Sequence, residues 1–348
     1  MNSFALLEKL CNAHGMSGYE DEVRELISSE IEEFADSIKT DRMGNLIAVK
    51  KGDEKKVMLA SHMDEIGFMV KHVEEKGFLR VTPIGGWFSQ TILNQRVFVH
   101  TKDGKVTGVF GCKPPHIMKD EERKKVVKVE DMFVDVGAES KDEVEEMGIE
   151  IGSPVTMDRE LSRLGKNRIT GKAIDDRAGV AAVIEVFRES ECDATLYAVF
   201  TVQEEVGLKG ARTSAFSINP DIAIAVDVCV ATDFPGVSVN QEINLGKGPA
   251  ITVADASGRG IIAHRNVLNL LRDTAEKNKI PYQLEVGEGG TTDATAIHLT
   301  REGIPSGVVS IPARYIHTPV EVIDLKDYSN TVKLLIKSLE RCEKYMKF

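Results

Sequence analysis

The apolar run LYAVFTV, at residues 196–202, is followed at once by Gln203-Glu204-Glu205. Three further apolar runs have the same form. They are Val57–Ala60, which leads into Ser61-His62-Met63-Asp64; Ile222–Val226, which stops at Asp227; and Val308–Ile311, which precedes His317. Open α/β sheets place their ligands beyond the carboxyl ends of the strands. The four runs therefore predict a sheet with two histidines and several carboxylates along one edge, within reach of a pair of metal ions.

The length of the chain and a change of residue pattern along it predict two domains. A chain of 348 residues exceeds the usual size of a single hydrophobic core. From Gly67 to Leu164, short β-like segments alternate with turns, and the first long helical pattern there is Lys141–Met147. We therefore predict a β-rich domain at residues 67–164, inserted into an α/β domain made of residues 1–66 and 165–348. The β-like segments are Gly67–Val73, Leu79–Ile84, Arg96–His100, Val106–Phe110, Met132–Val136 and Pro154–Met157.

Helical patterns occur on both sides of the insert. Apolar residues at helical spacing predict helices from Glu20 to about Phe34, at Arg177–Glu189, at His264–Lys277 and at Tyr328–Tyr345. Ser17 and Glu20 have the spacing of a capping box, so we expect them to cap the N-terminus of the first of these helices. The alternation of helices with apolar runs is typical of an α/β fold.

Composition excludes several classes of protein. A formal charge of -11 argues against nucleic acid as the main partner, because phosphate binding requires a basic face. The N-terminus lacks the pattern of a signal peptide, and no apolar run approaches the roughly 20 residues that span a bilayer. The five cysteines are scattered along the chain, which is typical of reduced thiols. We expect a cytoplasmic protein that binds neither nucleic acid nor membrane.

Glu204 and Glu205 are the most informative acids in the sequence. Adjacent carboxylates at the end of an apolar strand repel each other and are costly to remove from water. A purely structural strand end would favour uncharged polar residues. A metal ion that neutralises one carboxylate leaves the other free to act as a general base on water. We therefore interpret this pair as functional.

The other acids and histidines of the four runs are ambiguous when taken singly. His62 and Asp64 fit a metal ligand whose second ring N–H is held by an acid, but also a surface histidine beside a helix cap. Asp175-Asp176-Arg177 fits an ion pair, or a carboxylate that bridges two cations while the arginine orients its neighbour. Asp227 and His317 are weak signals alone. Nitrogen and oxygen donors without thiolates suit Zn²⁺, Co²⁺ or Mn²⁺. Together they predict a two-metal site that activates water for attack on a carbonyl or phosphoryl group.

Two further segments are candidates for contact with substrate. The glycine-rich stretch Gly287–Asp293 matches neither common phosphate-binding pattern, so we expect its backbone to approach a substrate, with Gly290, Thr291 and Asp293 as candidate contacts. His116 follows two prolines on a loop of the insert, from which it would reach a neighbouring site.

These motifs resemble a known family, the co-catalytic metallo-aminopeptidases that include the tetrahedral TET peptidases and the bacterial glutamyl and deblocking aminopeptidases. The matching pieces follow the family's order over nearly the whole chain. They are Ser61–Gly67, Gly85-Gly86-Trp87, Lys113–His116, Gly171–Arg177, Gln203–Gly207, the region of Asp227, and Arg314–Glu321. The chain departs from the family's pattern at Thr291, where a third glycine is common.

The resemblance implies both a fold and an activity. The fold is an α/β peptidase core with a mixed sheet and helices on both faces, interrupted by a small β-rich dimerisation domain, barrel-like or PDZ-like. Members assemble into dimers and often into hollow dodecamers. The activity is removal of N-terminal residues from peptides with two divalent metal ions per subunit, of which Zn²⁺ or Co²⁺ is expected first and Mn²⁺ next.

The resemblance also implies individual roles. His62 would bind one metal ion and His317 the other, and Asp175 would bridge the two ions. Glu205 and Asp227 would complete the two sets of metal ligands. Glu204 would be the general base, and Asp64 would orient His62.

Three alternatives remain open from the sequence. A metal-dependent deacylase or amidohydrolase would use the same metals on N-acylated amino acids or peptides. A glucanase would need two positioned carboxylates and no metal pair. A silent, metal-stabilised scaffold would bind peptides without cleaving them.

Overall fold

The computed structural model describes residues 3–237 and 243–347. Within these ranges the α-helices are α1 (Ser3–Asn12), α2 (Asp21–Ile31), α3 (Asp120–Arg123), α4 (Lys141–Glu146), α5 (Ile174–Glu189), α6 (Lys209–Ile218), α7 (Arg265–Asn278), α8 (Asp293–Ile297) and α9 (Leu325–Leu339). The strands are β1 (Ser37–Thr40), β2 (Leu46–Lys50), β3 (Asp53–His62), β4 (Gly67–Val73), β5 (Leu79–Ile84), β6 (Arg96–Thr101), β7 (Gly104–Gly111), β8 (Phe133–Asp135), β9 (Pro154–Met157), β10 (Ser162–Leu164), β11 (Arg168–Gly171), β12 (Ala194–Thr201), β13 (Ile222–Val230), β14 (Ala250–Ala254), β15 (Gln283–Val286), β16 (Ser306–Arg314) and β17 (Glu321–Asp324).

One large mixed sheet forms the α/β part of the chain. Its strand order is β1-β2-β12-β3-β13-β16-β17-β11-β10, and β14 joins β16 to β15. The four predicted apolar runs become β12, β3, β13 and β16, which are neighbours and parallel to one another. Uninterrupted apolar runs suit such strands because both of their faces are buried. The predicted α/β fold is therefore confirmed, and the carboxyl ends of the four strands meet at one edge.

Helices cover both faces of this sheet. Successive residues of a strand point to opposite faces. Accordingly, Leu59 of β3 joins a core with α1, α2, α5, α7 and α9, whereas Met58 joins a separate core with α6 and α8. The predicted mixed sheet with helices on both faces is confirmed.

The inserted segment folds as a closed barrel. Its strands run in the order β4-β5-β8-β7-β6-β9, and every pairing is antiparallel. All six predicted β-like segments become strands of this barrel. Alternating side chains such as Phe68, Val70, Val97, Val99 and Phe110 fill a core of its own. The barrel form of the β-rich domain is confirmed; the domain boundaries stay a prediction.

Helix length and the state of the cysteines complete the description of the fold. No helix in the described residues is both long and apolar enough to cross a membrane. All five cysteines are free thiols, although the sulfur atoms of Cys192 and Cys342 lie 3.8 Å apart.

Candidate metal centre

Two groups of donor atoms meet at the carboxyl edge of the sheet. Among the described residues, His62, Asp175 and Asp227 form one group, and Asp175, Glu205 and His317 form the other, with all donor atoms of a group within 4.8 Å of one another. Asp175 belongs to both. Its Oδ1 lies 3.1 Å from His62 Nε2, and its Oδ2 lies 3.5 Å from His317 Nε2. The five residues that the resemblance implies as metal ligands therefore lie together, with the shared carboxylate between the two histidines.

The sheet delivers these donors from different strands. His62 ends β3, and Glu204 and Glu205 follow β12, whose Thr201 pairs with His62. Asp227 was expected to end its strand, but β13 continues to Val230, so Asp227 lies within the strand. His317 Nε2 lies 3.2 Å from Glu205 Oε1. Parallel pairing in register explains why residues so distant in sequence converge at one place.

Glu321 positions two of the candidate ligands. Asp175 lies at the irregular start of α5, where Asp175 and Asp176 have non-helical backbone angles. The buried Glu321 carboxylate accepts hydrogen bonds from the backbone N–H of Asp175 at 3.0 Å and of His317 at 2.8 Å. One side chain thereby fixes the backbone of the shared carboxylate and of the more exposed histidine.

Asp64 acts mainly on the turn that carries Glu204 and Glu205. Its carboxylate accepts hydrogen bonds from the backbone N–H groups of Glu204 at 2.9 Å and Glu205 at 3.2 Å. His62 Nδ1 is closer to the backbone carbonyl oxygen of Asp64, at 3.0 Å, than to its carboxylate, at 3.6 Å. The backbone of Asp64 is therefore the nearer partner of His62, and its carboxylate holds the two glutamates in place.

The predicted capping box is wrong. Helix α2 begins at Asp21 without a side-chain cap. The Ser17 hydroxyl instead donates to the Asp64 carboxylate at 2.5 Å. Glu20 accepts from the backbone N–H groups of Gly18 and Gln203. The side-chain oxygens of Ser17 and Glu20 are thus used in contacts with Asp64 and Gln203, near the site, and not in a helix cap.

The predicted role of Arg177 is also wrong. Its guanidinium is fully buried and donates to backbone carbonyls, among them those of Met63 at 2.7 Å and Leu10 at 2.6 Å, rather than to Asp176. Asp176 accepts from the Ser61 hydroxyl at 2.5 Å and from the His62 N–H at 3.2 Å. Arg177 therefore fixes the chain around β3, and Asp176 fixes the end of the strand.

The electrostatics of the cluster suit cations. Burial, opposed by the His62 charge but reinforced by neighbouring acids, raises the pKa of Glu204; burial also raises the pKa values of Glu205 and Asp227. Burial opposes the shift of Asp175, but hydrogen bonds from both histidines lower its pKa. Against burial, hydrogen bonds to Asp175 and Glu205 raise the pKa of His317 to about 11. Buried acids outnumber imidazoles here, and low local dielectric strengthens their attraction for cations. The donor set fits divalent metal ions.

Comparison with known proteins shows the family of the chain that carries this site. Residues 44–334 match the model of the M42 glutamyl aminopeptidase family. The chain belongs to this family. It is an aminopeptidase, a hydrolase of peptide bonds. The resemblance that the motifs predicted is confirmed.

Relatives of this aminopeptidase match it over nearly their whole length. An aminopeptidase from the archaeon Desulfurococcus kamchatkensis superposes with a TM-score of 0.95 at 46% identity, covering 99% of this chain and 96% of that chain. The lysyl aminopeptidase of Pyrococcus furiosus is 38% identical over 344 residues, covering 98% of this chain and 97% of the relative. The TET1 peptidase of Pyrococcus horikoshii, described as able to assemble into a tetrahedron or a large octahedral shell, has a TM-score of 0.89 at 34% identity, covering 98% of this chain and 100% of that chain.

A cavity of about 1230 Å³ opens beside the donors of the aminopeptidase. Glu204 lines it, as do Gly290 and Thr291 of the glycine-rich stretch. Asp293 is buried behind the wall instead, where its Oδ2 accepts from the Thr201 hydroxyl at 2.5 Å. His116 lies exposed on the barrel and is not among the described residues that line the cavity of its own chain. The predicted substrate contacts of these residues stay predictions.

The barrel of the aminopeptidase touches the site through a glycine loop. A Cβ atom at Gly86 would lie 2.9 Å from His317 Nδ1, closer than real Cβ contacts allow. The neighbouring Trp87 anchors the loop, since its Nε1 donates to the Gly67 carbonyl at 3.0 Å and its ring stacks on Phe68. A larger residue at position 86 would therefore displace the His317 ring.

Sequence reasoning missed several supporting residues of the aminopeptidase. Glu321 closes a motif that was recognised, so a signal for it existed. Ser17 and Glu20 were predicted to form a capping box instead. Asp176 was given no role of its own, because Asp175 and Arg177 beside it offered roles that the sequence could not separate from its own. Their partners lie far away in the chain, as with Ser17 and Asp64, which are 47 residues apart.

Proposed function

We propose that the aminopeptidase uses two divalent metal ions and Glu204 as a general base to hydrolyse N-terminal residues from peptides. The main support is that Asp175 belongs to both donor groups, with one carboxylate oxygen toward each histidine. Glu204 opens into the same cavity.

The residues that would hold the ions follow from the two donor groups. His62 and Asp227 would bind one ion, Glu205 and His317 the other, and Asp175 both. Imidazole nitrogens and carboxylate oxygens without thiolates suit Zn²⁺, Co²⁺ or Mn²⁺. When bound, such a pair lowers the pKa of water and polarises the scissile carbonyl.

Glu204 would move the proton. Its carboxylate takes a proton from the attacking water and passes it to the nitrogen of the leaving amine. Burial raises its pKa, which brings its basicity closer to that needed near neutral pH. The Asp64 carboxylate holds the backbone N–H of Glu204, so the base keeps its place beside the cavity.

The acids of the cavity would also favour a free N-terminus. An α-amino group is largely a cation at neutral pH. Carboxylates beside the scissile bond would bind that cation, whereas an N-acylated substrate offers no charge. This supports an exopeptidase over a deacylase acting on N-acylated peptides.

The barrel would carry contacts between subunits. A relative, the TET1 peptidase, is described as assembling into a tetrahedron or an octahedral shell. We propose that this chain forms a homo-oligomer through the domain at residues 67–164, as a dimer or a tetrahedral dodecamer, and that it acts on peptides in the cytoplasm. Light scattering of the purified chain measures the oligomer directly; a monomer would contradict this part.

Metal removal tests the proposed function. Dialysis against a chelator should reduce hydrolysis of aminoacyl-p-nitroanilides by about 100-fold or more. Reloading with Zn²⁺, Co²⁺ or Mn²⁺ should restore it, and metal analysis should find two ions per subunit. Full activity in chelator, or cleavage of N-acylated substrates only, would contradict the proposal. Full activity in chelator would favour a glycosidase, and cleavage of N-acylated substrates only would favour a deacylase. Metal-loaded protein that binds peptides without cleaving them would indicate a scaffold.

A further inference from the structure

The cavity extends from the metal centre to a second pair of acids, which are Glu285 on β15 and Asp255 directly after β14. Thr252 and Glu285 are paired neighbours on these two strands, and both line the cavity. The Thr252 hydroxyl donates to Glu285 Oε2 at 2.8 Å, which fixes the carboxylate in its partly buried position. Asp255 follows β14 and lines the same cavity.

Asp255 holds an oxygen atom that lacks a partner. The residue is only 7% exposed. Its Oδ1 accepts from the backbone N–H of Ile261, and Gly260 packs so closely that a Cβ there would collide with this oxygen. Its Oδ2 is buried and has no hydrogen-bond partner among the described residues. Buried carboxylate oxygens are normally paired, so this atom is suited to a donor that arrives with a ligand.

The described part of the chain places no fixed cation in the lining of this cavity. None of the described residues that line the cavity is a lysine or an arginine. Glu65 is a buried acid that does have such a cation, since its Oε1 lies 2.9 Å from Lys172 Nζ. Burial, together with the negative charge of Asp255, raises the pKa of Glu285, as expected for a carboxyl that lacks a cationic partner.

The walls of the cavity are partly apolar. Val228, Cys229 and Ile243 line the cavity and are each less than 9% exposed, and Val286 lines it on the open side. A long aliphatic stem can pack against such walls while its charged head reaches a carboxylate.

We propose that this side pocket, formed by Thr252, Asp255 and Glu285, binds the side chain of a lysine or arginine at the substrate's N-terminus. The assignment rests on the proposed function, because it takes the metal centre as the place of cleavage. A lysine ammonium or arginine guanidinium supplies donors to both acids, and its stem contacts the apolar walls. An acidic N-terminal residue would meet two carboxylates and be repelled.

Substrate preference tests this pocket. We expect kcat/KM of the metal-loaded, full-length protein for lysyl- and arginyl-p-nitroanilide to exceed that for the methionyl compound by about tenfold or more, and glutamyl-p-nitroanilide to be the poorest. Methionine is the reference because its side chain is unbranched and neutral. Equal rates for lysyl and methionyl substrates, or a preference for glutamyl, would overturn the inference.

Two variants connect the preference to the acids. Glu285→Gln should lower kcat/KM for the lysyl substrate about 10- to 100-fold and leave the methionyl substrate within about twofold. Asp255→Asn keeps Oδ1 for Ile261 and should act in the same direction. Glu302→Gln, which removes an exposed charge from the same part of the chain, serves as the matched control and should leave the ratio unchanged. An unchanged lysyl-to-methionyl ratio in a folded Glu285→Gln protein would overturn the inference.

A binding measurement separates this inference from the proposed function. Calorimetry with L-lysinamide and L-norleucinamide reports the preference of the pocket whether or not the protein hydrolyses any amide. Tighter binding of lysinamide that is lost in Glu285→Gln supports the pocket even if the proposed function fails. Equal binding of the two amides overturns the pocket even if aminopeptidase activity is found.

Discussion

The mixed sheet and the barrel bury different kinds of side chain. At the edge of the sheet, His62, Asp64, Asp176 and Asp227 are each less than 9% exposed. In the described residues of the barrel, the buried polar side chains are Ser153 and Thr156, and none is charged. Burying charge is costly unless partners compensate it. The difference therefore indicates that the sheet edge is built for binding and chemistry, and the barrel for packing.

The barrel nevertheless contacts the rest of the chain, and one of these contacts is at the site. Gly86 lies against the ring of His317. On another side, the Thr156 hydroxyl contacts both His14 Nδ1 at 2.7 Å and His100 Nε2 at 2.8 Å, which links the barrel to the loop after α1. The comparison predicts large effects at the sheet edge and smaller ones at these contacts.

The largest effect is expected at the sheet edge, from Glu204→Gln. The amide keeps the shape of the side chain but cannot accept the water's proton, so kcat should fall by two or more orders of magnitude while bound metal stays at the wild-type level. Steady-state kinetics and metal analysis measure both. Glu205→Gln is the matched neighbour and should lose metal instead. Near wild-type turnover by Glu204→Gln would contradict the division of roles between the two glutamates.

A smaller effect is expected where the barrel touches the site, from Gly86→Ala. The new Cβ would displace the His317 ring, and misplacement of a reacting group is costly, so we expect kcat/KM to fall by about tenfold or more. Gln90→Ala is the control, because this exposed residue lies four positions further along the chain and does not line the cavity among the described residues. Equal activity of the two variants would show that the barrel does not constrain the centre.

The smallest effect is expected at the contact of His14 with the barrel, and it depends on pH. Burial, with nearby positive charges, lowers the pKa of His14 to about 2, below its ordinary value of 6.5. Between pH 6.5 and pH 2, the His14 imidazole is therefore protonated in the unfolded chain but not in the folded one. The contribution of neutral, buried His14 to the free energy of unfolding is complete above pH 6.5 and declines as the pH falls toward 2, by about 1.4 kcal/mol per pH unit.

Urea unfolding between pH 7 and pH 5 measures this contribution. The free energy of unfolding of His14→Gln should fall less steeply with acidification than that of the wild type. His72→Gln, at an exposed position of β4, should retain the wild-type slope. Parallel slopes for wild type and His14→Gln would mean that the contact does not exclude the proton.

Local pattern predicted much of the fold. The four apolar runs became adjacent parallel strands, and the six β-like segments became the barrel, because strand formation and burial follow from short stretches of sequence. His62, Glu205, Asp227 and His317 were found for the same reason, since they follow or end those runs. Asp175 follows none of them and was found through its own motif and the family resemblance. Ser17 and Glu20 were misread because a capping box is also a local pattern, and a distant partner took its place.

Patterns in the sequence were enough to predict the four central strands of the sheet, the six strands of the barrel, the chemical groups that follow the central strands, and the family to which the chain belongs. Other features depend on contacts that the folded chain alone creates. Glu321 holds both Asp175 and His317, the Asp64 carboxylate holds the turn of Glu204 and Glu205, and Asp255 and Glu285 share a cavity with the metal centre. Backbone periodicity is set by neighbours in the chain. Hydrogen-bond partners and buried charges are set by chain segments that meet only when the sheet and its helices pack, as with Asp175 and Glu321, which are 146 residues apart.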